Sequence, residues 1–415
     1  MKAVIAGGGI GGLNAALCFH AFGWDVEICE QAAEIGELGA GLQISPNGMK
    51  VLRALDIDKQ VEAAGFRPRA IQLRMGKMES GQGRGRLLRK PPSSQPIFTV
   101  STTDYEEKFG APYLHIHRAD LVAILKAALE VRTAVSIRTG VSIRTGATVT
   151  GYGQNEDGAW ALLADGTRVA GDIVVGADGI RSAMQSQMVG AQEPVFTGNT
   201  AWRAVVPVEK LGRNAPLPVS TIWLGEGKHA VTYLLRGGKL ANFVGVVERD
   251  DWHNESWTEE GSRDDALADF AGWHPTITTL LEQADAHYRW ALFDRPPLGK
   301  WVDGRAVLLG DACHPMLPFM AQGAVQAIED GYVLARYLAE KDDYPAALSA
   351  YFTARVERTA RVQAAARTNM GLFHQRSGAG KLATYGPMWL ADKIKPDLAN
   401  QRLAWLYGHD VTAGI

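Results

Sequence analysis

The sequence predicts an α/β protein in which a mainly antiparallel β-sheet is inserted into a parallel, nucleotide-binding layer. An apolar run at Lys2–Ala6, a glycine-rich turn, a helical stretch at Leu13–Phe22 and a second apolar run at Asp25–Cys29 form a β-α-β opening. Residues 200–250 alternate apolar and polar side chains, as strands of a half-exposed antiparallel sheet do. Apolar runs typical of buried strands return much later, at 172–176 and 305–309. The parallel layer is therefore expected to be discontinuous along the chain.

This interleaving predicts a division into three parts. No clean linker separates them. A helical pattern covers residues 262–283, and helical patterns dominate after residue 344. The predicted parts are a nucleotide-binding domain (1–66, 110–185 and 290–340), a substrate domain (67–109 and 186–289) and a C-terminal helical segment (341–415).

Composition excludes several classes of protein. The 415 residues are 46% hydrophobic and 21% charged, a balance typical of globular enzymes with more than one domain. A formal net charge of −2 gives no overall field that would recruit nucleic acid or an anionic membrane. The three cysteines, Cys18, Cys29 and Cys313, are too few for a disulfide framework and fit a reducing compartment. With neither a signal-peptide pattern nor a membrane-spanning stretch, the sequence predicts a cytoplasmic enzyme.

Two unusual segments are interpreted as structural. Residues 135–146 contain the hexapeptide VSIRTG twice in tandem, which we interpret as a duplication that lengthens a helix-to-strand connection. Residues 67–90 hold eight Lys or Arg residues against one acidic residue. Because no aromatic residues are interleaved with these charges, a solvated hairpin is favoured over a nucleic-acid site.

The turn after the first strand carries a dinucleotide-binding fingerprint. Gly7 allows the tight turn, Gly9 lets the backbone approach a pyrophosphate, and Gly12 lets helix and strand pack closely. The helix that follows offers free N–H groups and a positive dipole to the phosphates. Glu30, at the end of the second strand and followed by Gln31, is placed to accept both hydroxyls of an adenosine ribose.

Two further motifs narrow the cofactor. The segment GADGIRS (176–182) follows one buried strand, and GDACHP (310–315) follows another. With the fingerprint, these motifs make the chain resemble the single-component flavoprotein aromatic hydroxylases, which are FAD-dependent monooxygenases and carry the three motifs in this order. The resemblance extends from Lys2 to about Asp410 and implies a Rossmann-like FAD-binding domain. The cofactor-binding residues expected are Gly7, Gly9, Gly12, Glu30, Gln31, Gln43, Arg118, Asp178, Asp311, Gly323 and Ala324.

Three of these residues have individual roles implied by the resemblance. Asp311 contacts the FAD ribityl chain, and Arg118 reaches the flavin unless it forms only a salt bridge at its helix. Asp178 has a role near both FAD and NAD(P)H, or else it only closes an Asp-Gly turn. A single fingerprint also implies that NADH or NADPH binds transiently, without a second nucleotide domain.

Within the family, the chain looks most similar to salicylate, 3-hydroxybenzoate and 6-hydroxynicotinate hydroxylases. The segments that carry this are LGAGLQ (38–43), 310–330 and WLYGHD (405–410). In such enzymes NAD(P)H reduces FAD, oxygen adds to it, and the flavin hydroperoxide hydroxylates a small aromatic acid. Gln43 stands where the 6-hydroxynicotinate enzymes have a histidine, which favours a salicylate- or hydroxybenzoate-type substrate. A flavin oxidoreductase of another reaction type and a non-catalytic FAD-binding protein remain alternatives, and a homodimer is common among the look-alikes.

The expected active-site residues come from a predicted strand at 228–235. Alternation puts His229 and Tyr233 on one face, with Val231 and Leu235 as apolar neighbours. These two polar residues match active-site positions in the resembling enzymes, with His229 as base for the ring hydroxyl; alternatively they only satisfy each other. His314 is a second catalytic candidate, or it holds the Pro315 turn. The substrate-binding residues expected are Pro318 and Met320 beside the flavin, and Arg203 and Arg236 as alternatives for the carboxylate.

Overall fold

The chain begins with the predicted β-α-β unit. In the computed structural model, strands β1 (Lys2–Ala6) and β2 (Asp25–Cys29) run parallel, and helix α1 (Ile10–Ala21) connects them. The helix starts three residues before the predicted position because it already includes Gly11 and Gly12. α1 is buried on nearly all sides, which explains why its sequence shows no polar stripe.

The other strands complete two large sheets and two small ones among the described residues. They are β3 (Gly41–Ile44), β4 (Ala70–Met75), β5 (Phe98–Ser101), β6 (Leu114–His117), β7 (Val141–Arg144), β8 (Val149–Gln154), β9 (Ala159–Leu163), β10 (Arg168–Gly171), β11 (Ile173–Gly176), β12 (Val195–Pro207), β13 (Ser220–Gly225), β14 (Lys228–Leu235), β15 (Leu240–Glu248), β16 (Tyr288–Asp294), β17 (Val302–Asp303) and β18 (Ala306–Leu308).

The sheet topology confirms the predicted fold class. The six-stranded sheet has the order β17-β18-β11-β1-β2-β7 and is parallel except for β17. The seven-stranded sheet has the order β16-β12-β15-β14-β13-β4-β5 and is antiparallel except where β13 pairs with β4. Strands β10-β9-β8 and β3-β6 form the small sheets. The domain boundary predicted between residues 289 and 290 falls inside β16, which belongs to the seven-stranded sheet.

The helices pack around these sheets. One helix predicted over 262–283 is two helices, because Gly272 has a φ of +72° and Pro275 begins a new first turn. The helices after α1 are α2 (Pro46–Ala54), α3 (Asp58–Ala64), α4 (Tyr105–Phe109), α5 (Arg118–Val135), α6 (Ala183–Val189), α7 (Arg263–Asp269), α8 (Pro275–Gln283), α9 (Gly323–Glu340), α10 (Tyr344–Phe373), α11 (Gly378–Ile394) and α12 (Leu398–Tyr407). Short 3-10 segments lie at Val208–Asn214, Arg236–Gly238, Gly310–Ala312 and Pro318–Met320.

Two apolar clusters cover the two faces of the seven-stranded sheet. On one face, Trp202 and Phe243 pack against Phe270, which follows α7, and Leu280 of α8. On the other face, a second cluster joins the sheet to α10 and to the chain around Phe319. This second face points toward the six-stranded sheet's carboxyl-end loops and encloses the candidate site described below.

The structure describes residues 1–36, 40–77, 95–135, 139–249, 260–341, 343–395 and 397–414. Most of the basic run, positions 38 and 39 of the LGAGLQ segment, and residues 136–138 of the repeat lie outside these ranges. α5 ends where the first VSIRTG copy begins, and the second copy supplies β7. No helix in these ranges is both long and apolar enough to cross a bilayer.

Candidate active site

A cavity of about 880 Å³ connects the fingerprint turn to the inner face of the seven-stranded sheet. At one end, its wall is the N-terminus of α1 around Gly9. Its middle is formed by the chain from Leu309 to Ala324. At the far end, apolar side chains of the sheet, such as Ile222 and Val244, surround a few polar groups. This long, mostly apolar shape with few polar groups is typical of a cofactor and ligand site.

Two of the fingerprint glycines make close backbone contacts, and the third faces open space. Gly7 has a φ of +102°, and a Cβ there would lie 2.4 Å from the carbonyl oxygen of Ala177. A Cβ on Gly12 would lie 1.9 Å from the carbonyl oxygen of Gly7, so helix and turn are in direct contact. A Cβ on Gly9 would meet nothing within 4 Å. The open space therefore lies at the α1 N-terminus, where backbone N–H groups and the helix dipole favour an anion.

Glu30 lies against the same turn. Its Oε2 accepts a hydrogen bond from the backbone N–H of Gly8 at 2.6 Å, and its Oε1 accepts one from Ala32 at 2.8 Å. A carboxylate has lone pairs for about four hydrogen bonds, so two remain for sugar hydroxyls. Gln31 follows on the exposed surface.

The middle of the cavity carries charged and helix-terminal groups. Asp311 and Arg118 both line it, and so do Gly323 and Ala324 in the first turn of α9. Enclosure by the protein raises the pKa of Asp311, while the neighbouring His314 and Arg118 side chains lower it. Burial lowers the pKa of Arg118, and Asp311 partly offsets this. The N-terminus of an 18-residue helix thus lies at the same part of the cavity as one acidic and one basic side chain, Asp311 and Arg118.

Gln43 also lines the cavity and is held in place from two sides. Its Oε1 accepts a hydrogen bond from the Tyr113 hydroxyl at 2.6 Å, and its Nε2 donates to Ser220 Oγ at 3.3 Å. Tyr113 lines the cavity too and was not predicted from the sequence.

Asp178 fits the structural alternative better than the cofactor role. Its Oδ2 accepts the backbone N–H of Met184 at 3.3 Å, which closes the turn into α6. Its Oδ1 is buried without a hydrogen-bond partner among the described residues, and burial raises its pKa. The neighbours Ala177 and Gly179 line the cavity, but Asp178 is not among the described lining residues.

At the far end, His229 and Tyr233 project from β14 into the cavity, with Val231 between them. This confirms the predicted common face for these three residues. Burial lowers the pKa of His229 well below its usual value, so the imidazole is neutral at neutral pH. Burial raises the pKa of the Tyr233 hydroxyl. The Tyr233 ring contacts His115, with centroids 4.6 Å apart.

The chain around Pro318 closes the cavity opposite His229. Pro318, Phe319 and Met320 form a 3-10 turn and all line the wall. The Phe319 ring lies 5.2 Å from the His229 ring, measured between centroids, and Phe373 lies 5.1 Å from it on another side. These aromatic rings surround His229 with apolar surface.

The two candidate arginines for a carboxylate have different environments. Arg203 lines the cavity, and its guanidinium lies 3.9 Å from the ring centroid of Trp290. Its Nε is buried and has no hydrogen-bond partner in the described part of the chain. Burial, with the nearby charge of Arg118, lowers the pKa of Arg203 to about 10. Arg236 instead forms two hydrogen bonds, of 2.8 and 2.7 Å, with the carboxylate of Asp120 near the surface.

His314 lies outside this arrangement, so its predicted catalytic role must be corrected. It is 1% exposed, and its Nε2 lies 2.6 Å from Oδ2 of Asp330. The same carboxylate accepts the backbone N–H of Gly310 at 2.9 Å and is bound by Arg355 Nε at 2.7 Å. His314 is not among the described residues that line the cavity. It stabilises the GDACHP turn from outside the cavity.

Sequence reasoning missed several lining residues. Tyr407 lies in the WLYGHD segment, one of the segments that resemble the aromatic hydroxylases. The local sequence pattern nevertheless assigns Tyr407 no place in the site. Its place in the wall depends on Lys50 and Arg358, which bind the backbone carbonyls of 408–409 and 405–406. The missed lining residues include Tyr113, Trp290, Phe319, Phe373, Arg402 and Tyr407.

The residues present fit FAD. The opening at Gly9 suits a pyrophosphate, and the helix start at Gly323 and the pair of Asp311 and Arg118 suit a flavin. The unpartnered Nε of Arg203 shows that a buried donor in the same cavity still lacks an acceptor.

Comparison with known proteins supports this assignment. Residues 1–369 match the family described as an FAD binding domain. The chain is 36% identical to 3-hydroxybenzoate 6-hydroxylase 1 of Aquipseudomonas alcaligenes, covering 98% of this chain and 97% of that protein. It is 32% identical to 6-hydroxynicotinate 3-monooxygenase of Bordetella bronchiseptica, covering 99% and 96%. A salicylate hydroxylase substrate complex superposes with a TM-score of 0.79 at 25% identity, covering 99% and 96%. The chain therefore belongs to the FAD-binding-domain family and, within it, to the FAD-dependent aromatic hydroxylases.

Proposed function

We propose that this enzyme hydroxylates a small hydroxylated aromatic acid of the salicylate or hydroxybenzoate type, with NADH or NADPH and O2 as co-substrates. The observation that carries the proposal is the pair His229 and Tyr233, two polar residues on an apolar wall of the same cavity that fits FAD. When bound, FAD supplies the two-electron chemistry that links NAD(P)H oxidation to oxygen activation.

The cofactor roles follow from position along the cavity. Gly9 and the α1 N-terminus would hold the pyrophosphate, and Glu30 would accept hydrogen bonds from the adenosine ribose hydroxyls. Asp311 would accept one from the ribityl chain, while Gly323, Ala324 and the start of their helix would support the flavin ring. Arg118 lines the same part of the cavity, and its positive charge would balance negative charge there.

His229 is the proposed base. A phenolate is more electron-rich than a phenol, so removal of the ring-hydroxyl proton activates the ring for hydroxylation. Burial keeps His229 neutral and able to accept that proton. Phe319 and Phe373 cover His229 with apolar surface and so exclude water from the place where the ring hydroxyl would bind.

Arg203 is the proposed carboxylate partner, in preference to Arg236. A guanidinium inside a mostly apolar cavity needs an anionic acceptor, and a benzoate carboxylate provides one. Arg236 already has Asp120 as its partner.

The first experiment combines a visible spectrum with NADH and NADPH oxidation in the presence of a panel of hydroxybenzoates, salicylate and 6-hydroxynicotinate. We expect a yellow protein and one hydroxybenzoate-type acid that accelerates oxidation, with ¹⁸O from ¹⁸O2 in the product. Acceleration only by 6-hydroxynicotinate would favour that alternative, to which one relative's name points. A product without oxygen from O2 would favour another flavin reaction, and a protein that never binds flavin would support a non-catalytic role.

Two further proposals concern the protein as a whole. We propose a homodimer and a cytoplasmic location. Light scattering on the FAD-loaded protein tests the first, and fractionation of producing cells tests the second.

A further inference from the structure

His229 is the inner end of a chain of hydrogen bonds that leads away from the cavity. Its Nδ1 lies 2.7 Å from Nε2 of His374. The Nδ1 of His374 lies 2.9 Å from Oε1 of Glu248, and the other oxygen of Glu248 is bound by Arg376. Both spacings fit strong hydrogen bonds.

The chain also runs from interior to surface. The His374 side chain is 2% exposed, that of Glu248 is 31% exposed and that of Arg376 is 70% exposed. His374 follows the last residue of α10, and Glu248 ends β15 beside the β14 strand of His229. These three groups thus lead to the surface from His229, which Phe319 and Phe373 flank on the cavity side.

The carboxylate at the outer end determines the tautomers of both rings. Ionised Glu248 can only accept, so His374 donates from Nδ1 and keeps a lone pair on Nε2. That lone pair accepts the Nδ1–H of His229, which leaves the Nε2 lone pair of His229 for the cavity. Burial lowers the pKa of both imidazoles, which keeps both neutral before the reaction.

We propose that His374 and Glu248 are relay residues that carry the substrate's hydroxyl proton from His229 to the solvent. The proposal rests on the proposed function, in which His229 faces the ring hydroxyl. The substrate O–H bond breaks and its proton binds His229 Nε2. The Nδ1 proton of His229 passes to His374 Nε2, and the Nδ1 proton of His374 passes to Glu248 and then to water.

The end state accounts for every proton. The substrate is a phenolate that accepts a hydrogen bond from Nε2–H of His229, and both imidazoles are again neutral with reversed tautomers. No net positive charge is left beside Phe319 and Phe373. A lone buried histidine would have to become an imidazolium there, which burial disfavours.

In the described part of the chain, the charged groups around the relay already have ion-pair or hydrogen-bond partners. Glu226, at the β13–β14 turn, binds Lys381 of α11 at 2.6 Å. Lys228 of β14 donates to the backbone carbonyl of Asp269 at 2.5 Å. Arg376 binds Glu248 itself and favours its ionised form, which is the form that receives the proton.

The test measures proton release directly. FAD-loaded enzyme is mixed in a stopped-flow instrument with 3-hydroxy-4-nitrobenzoate, whose phenolate absorbs visible light, in weak buffer with a pH indicator. In the wild type we expect phenolate formation and proton release to occur together. In His374→Gln, which keeps a hydrogen-bonding group beside His229 but cannot relay a proton, release should slow about 100-fold, the effect of losing one positioned proton acceptor.

A second variant and two controls complete the design. Glu248→Gln changes only a partly exposed side chain, so it can replace His374→Gln if that variant folds poorly. It should slow proton release in the same way. Lys381→Gln removes a nearby surface ion pair outside the relay and should behave like the wild type. Binding of benzoate, which has no hydroxyl proton, should be unchanged in all these variants.

The outcomes separate this inference from the proposed function. If His229→Gln abolishes phenolate formation but His374→Gln and Glu248→Gln release the proton at the wild-type rate, the relay is overturned and the function stands. If wild type binds the probe without ionising it, or His229→Gln ionises it normally, both are overturned. A proton inventory in H2O–D2O mixtures gives an independent readout: the wild type should show more than one proton in flight, and Glu248→Gln only one.

Discussion

At the scale of single residues, Gly9 and Gly12 lie in one turn but should respond differently to an added methyl group. Gly9→Ala should leave the stability of the flavin-free protein unchanged, because its Cβ meets nothing within 4 Å and its φ is −74°. It should nevertheless lose FAD, because the methyl group occupies the approach of the pyrophosphate. Gly12→Ala should cost about 1–3 kcal/mol of stability, since its Cβ would overlap the Gly7 carbonyl. Urea unfolding of the apoproteins and bound-flavin absorbance measure the two effects, and a Gly9→Ala protein that keeps its flavin contradicts the pyrophosphate assignment.

Arg203 and Arg236 offer a similar matched pair. Arg203→Gln removes the charge inside the cavity and should weaken binding of the aromatic acid by about 10- to 100-fold, the range expected when a charged hydrogen bond is lost. Arg236→Gln should leave the affinity unchanged, because that side chain is bound to Asp120. Flavin absorbance changes during titration give both dissociation constants. Unchanged substrate affinity in Arg203→Gln, with slower flavin reduction, would instead place this guanidinium beside the flavin.

The residues that sequence reasoning could find are those whose neighbours are local in the chain. His229 and Tyr233 share a face because strand side chains alternate, and this follows from two residues' spacing alone. His374, by contrast, is 145 residues from His229, and no local pattern joins them. His314 is the opposite case, a residue that the sequence predicted for the site and that lies outside it. Its place in a motif suggested chemistry, but its environment depends on Asp330 and Arg355, which helix packing brings to it.

At the scale of elements, the packing of α9 against α10 depends on a buried charge network. Arg355 of α10 binds Glu329 at 2.5 Å and Asp330 at 2.7 Å, both of α9, and all three side chains are fully buried. Arg355→Met should therefore destabilise the protein by about 3–5 kcal/mol, because two carboxylates lose their buried partner. Glu357→Gln, on the exposed face of the same helix, is the control and should have little effect. Urea unfolding checks both, and a loss in Arg355→Met no larger than in the control would mean that the network contributes little.

Element boundaries were predictable where the sequence changes sharply. The predicted bounds of β2 match the structure, since an aspartate starts it and the fingerprint acid follows it. The start of α1 was placed too late because Gly11 and Gly12 have low helix propensity, yet tertiary packing draws them into the helix. Gly272 and Pro275 mark the break between α7 and α8 in the sequence. The helical patterns on both sides of these residues nevertheless predicted a continuous helix.

At the scale of the whole molecule, the order of motifs along the chain predicted a discontinuous parallel sheet, but not the cavity between the sheets. The β-α-β unit places β1 beside β2, and the late strand β11 pairs with β1 and is followed outward by β18. The cavity wall, by contrast, includes Tyr407 from the last helix and Gly9 from the first, and only the assembled fold brings these together.

The whole molecule should also be sensitive to acid, because several buried groups act in the same direction. Burial lowers the pKa of His115 to about 3. Against the opposing effect of burial, Arg355 and Arg358 hold the pKa of Glu329 below its usual value, and His314 and Arg355 do the same for Asp330. The unfolded chain therefore binds more protons than the folded chain below about pH 6.5, the usual value for histidine, and stability must fall as pH decreases. The histidine contribution is lost between about pH 6.5 and 3, and the carboxylate contribution begins to be lost below about pH 4.5.

Replacing His115 by leucine separates these contributions. In the wild type, the His115 imidazole takes up one proton when the protein unfolds, whereas leucine cannot. The slope of unfolding free energy against pH should therefore decrease by up to about 1.4 kcal/mol per pH unit between pH 6 and 4. Below that range the carboxylates still titrate, so the acid transition itself should persist. Urea unfolding at a series of pH values measures the slope. An unchanged slope in His115→Leu would mean that this imidazole is already protonated in the folded protein, and that its place between Phe66 and Tyr233 is less enclosed than the structure indicates.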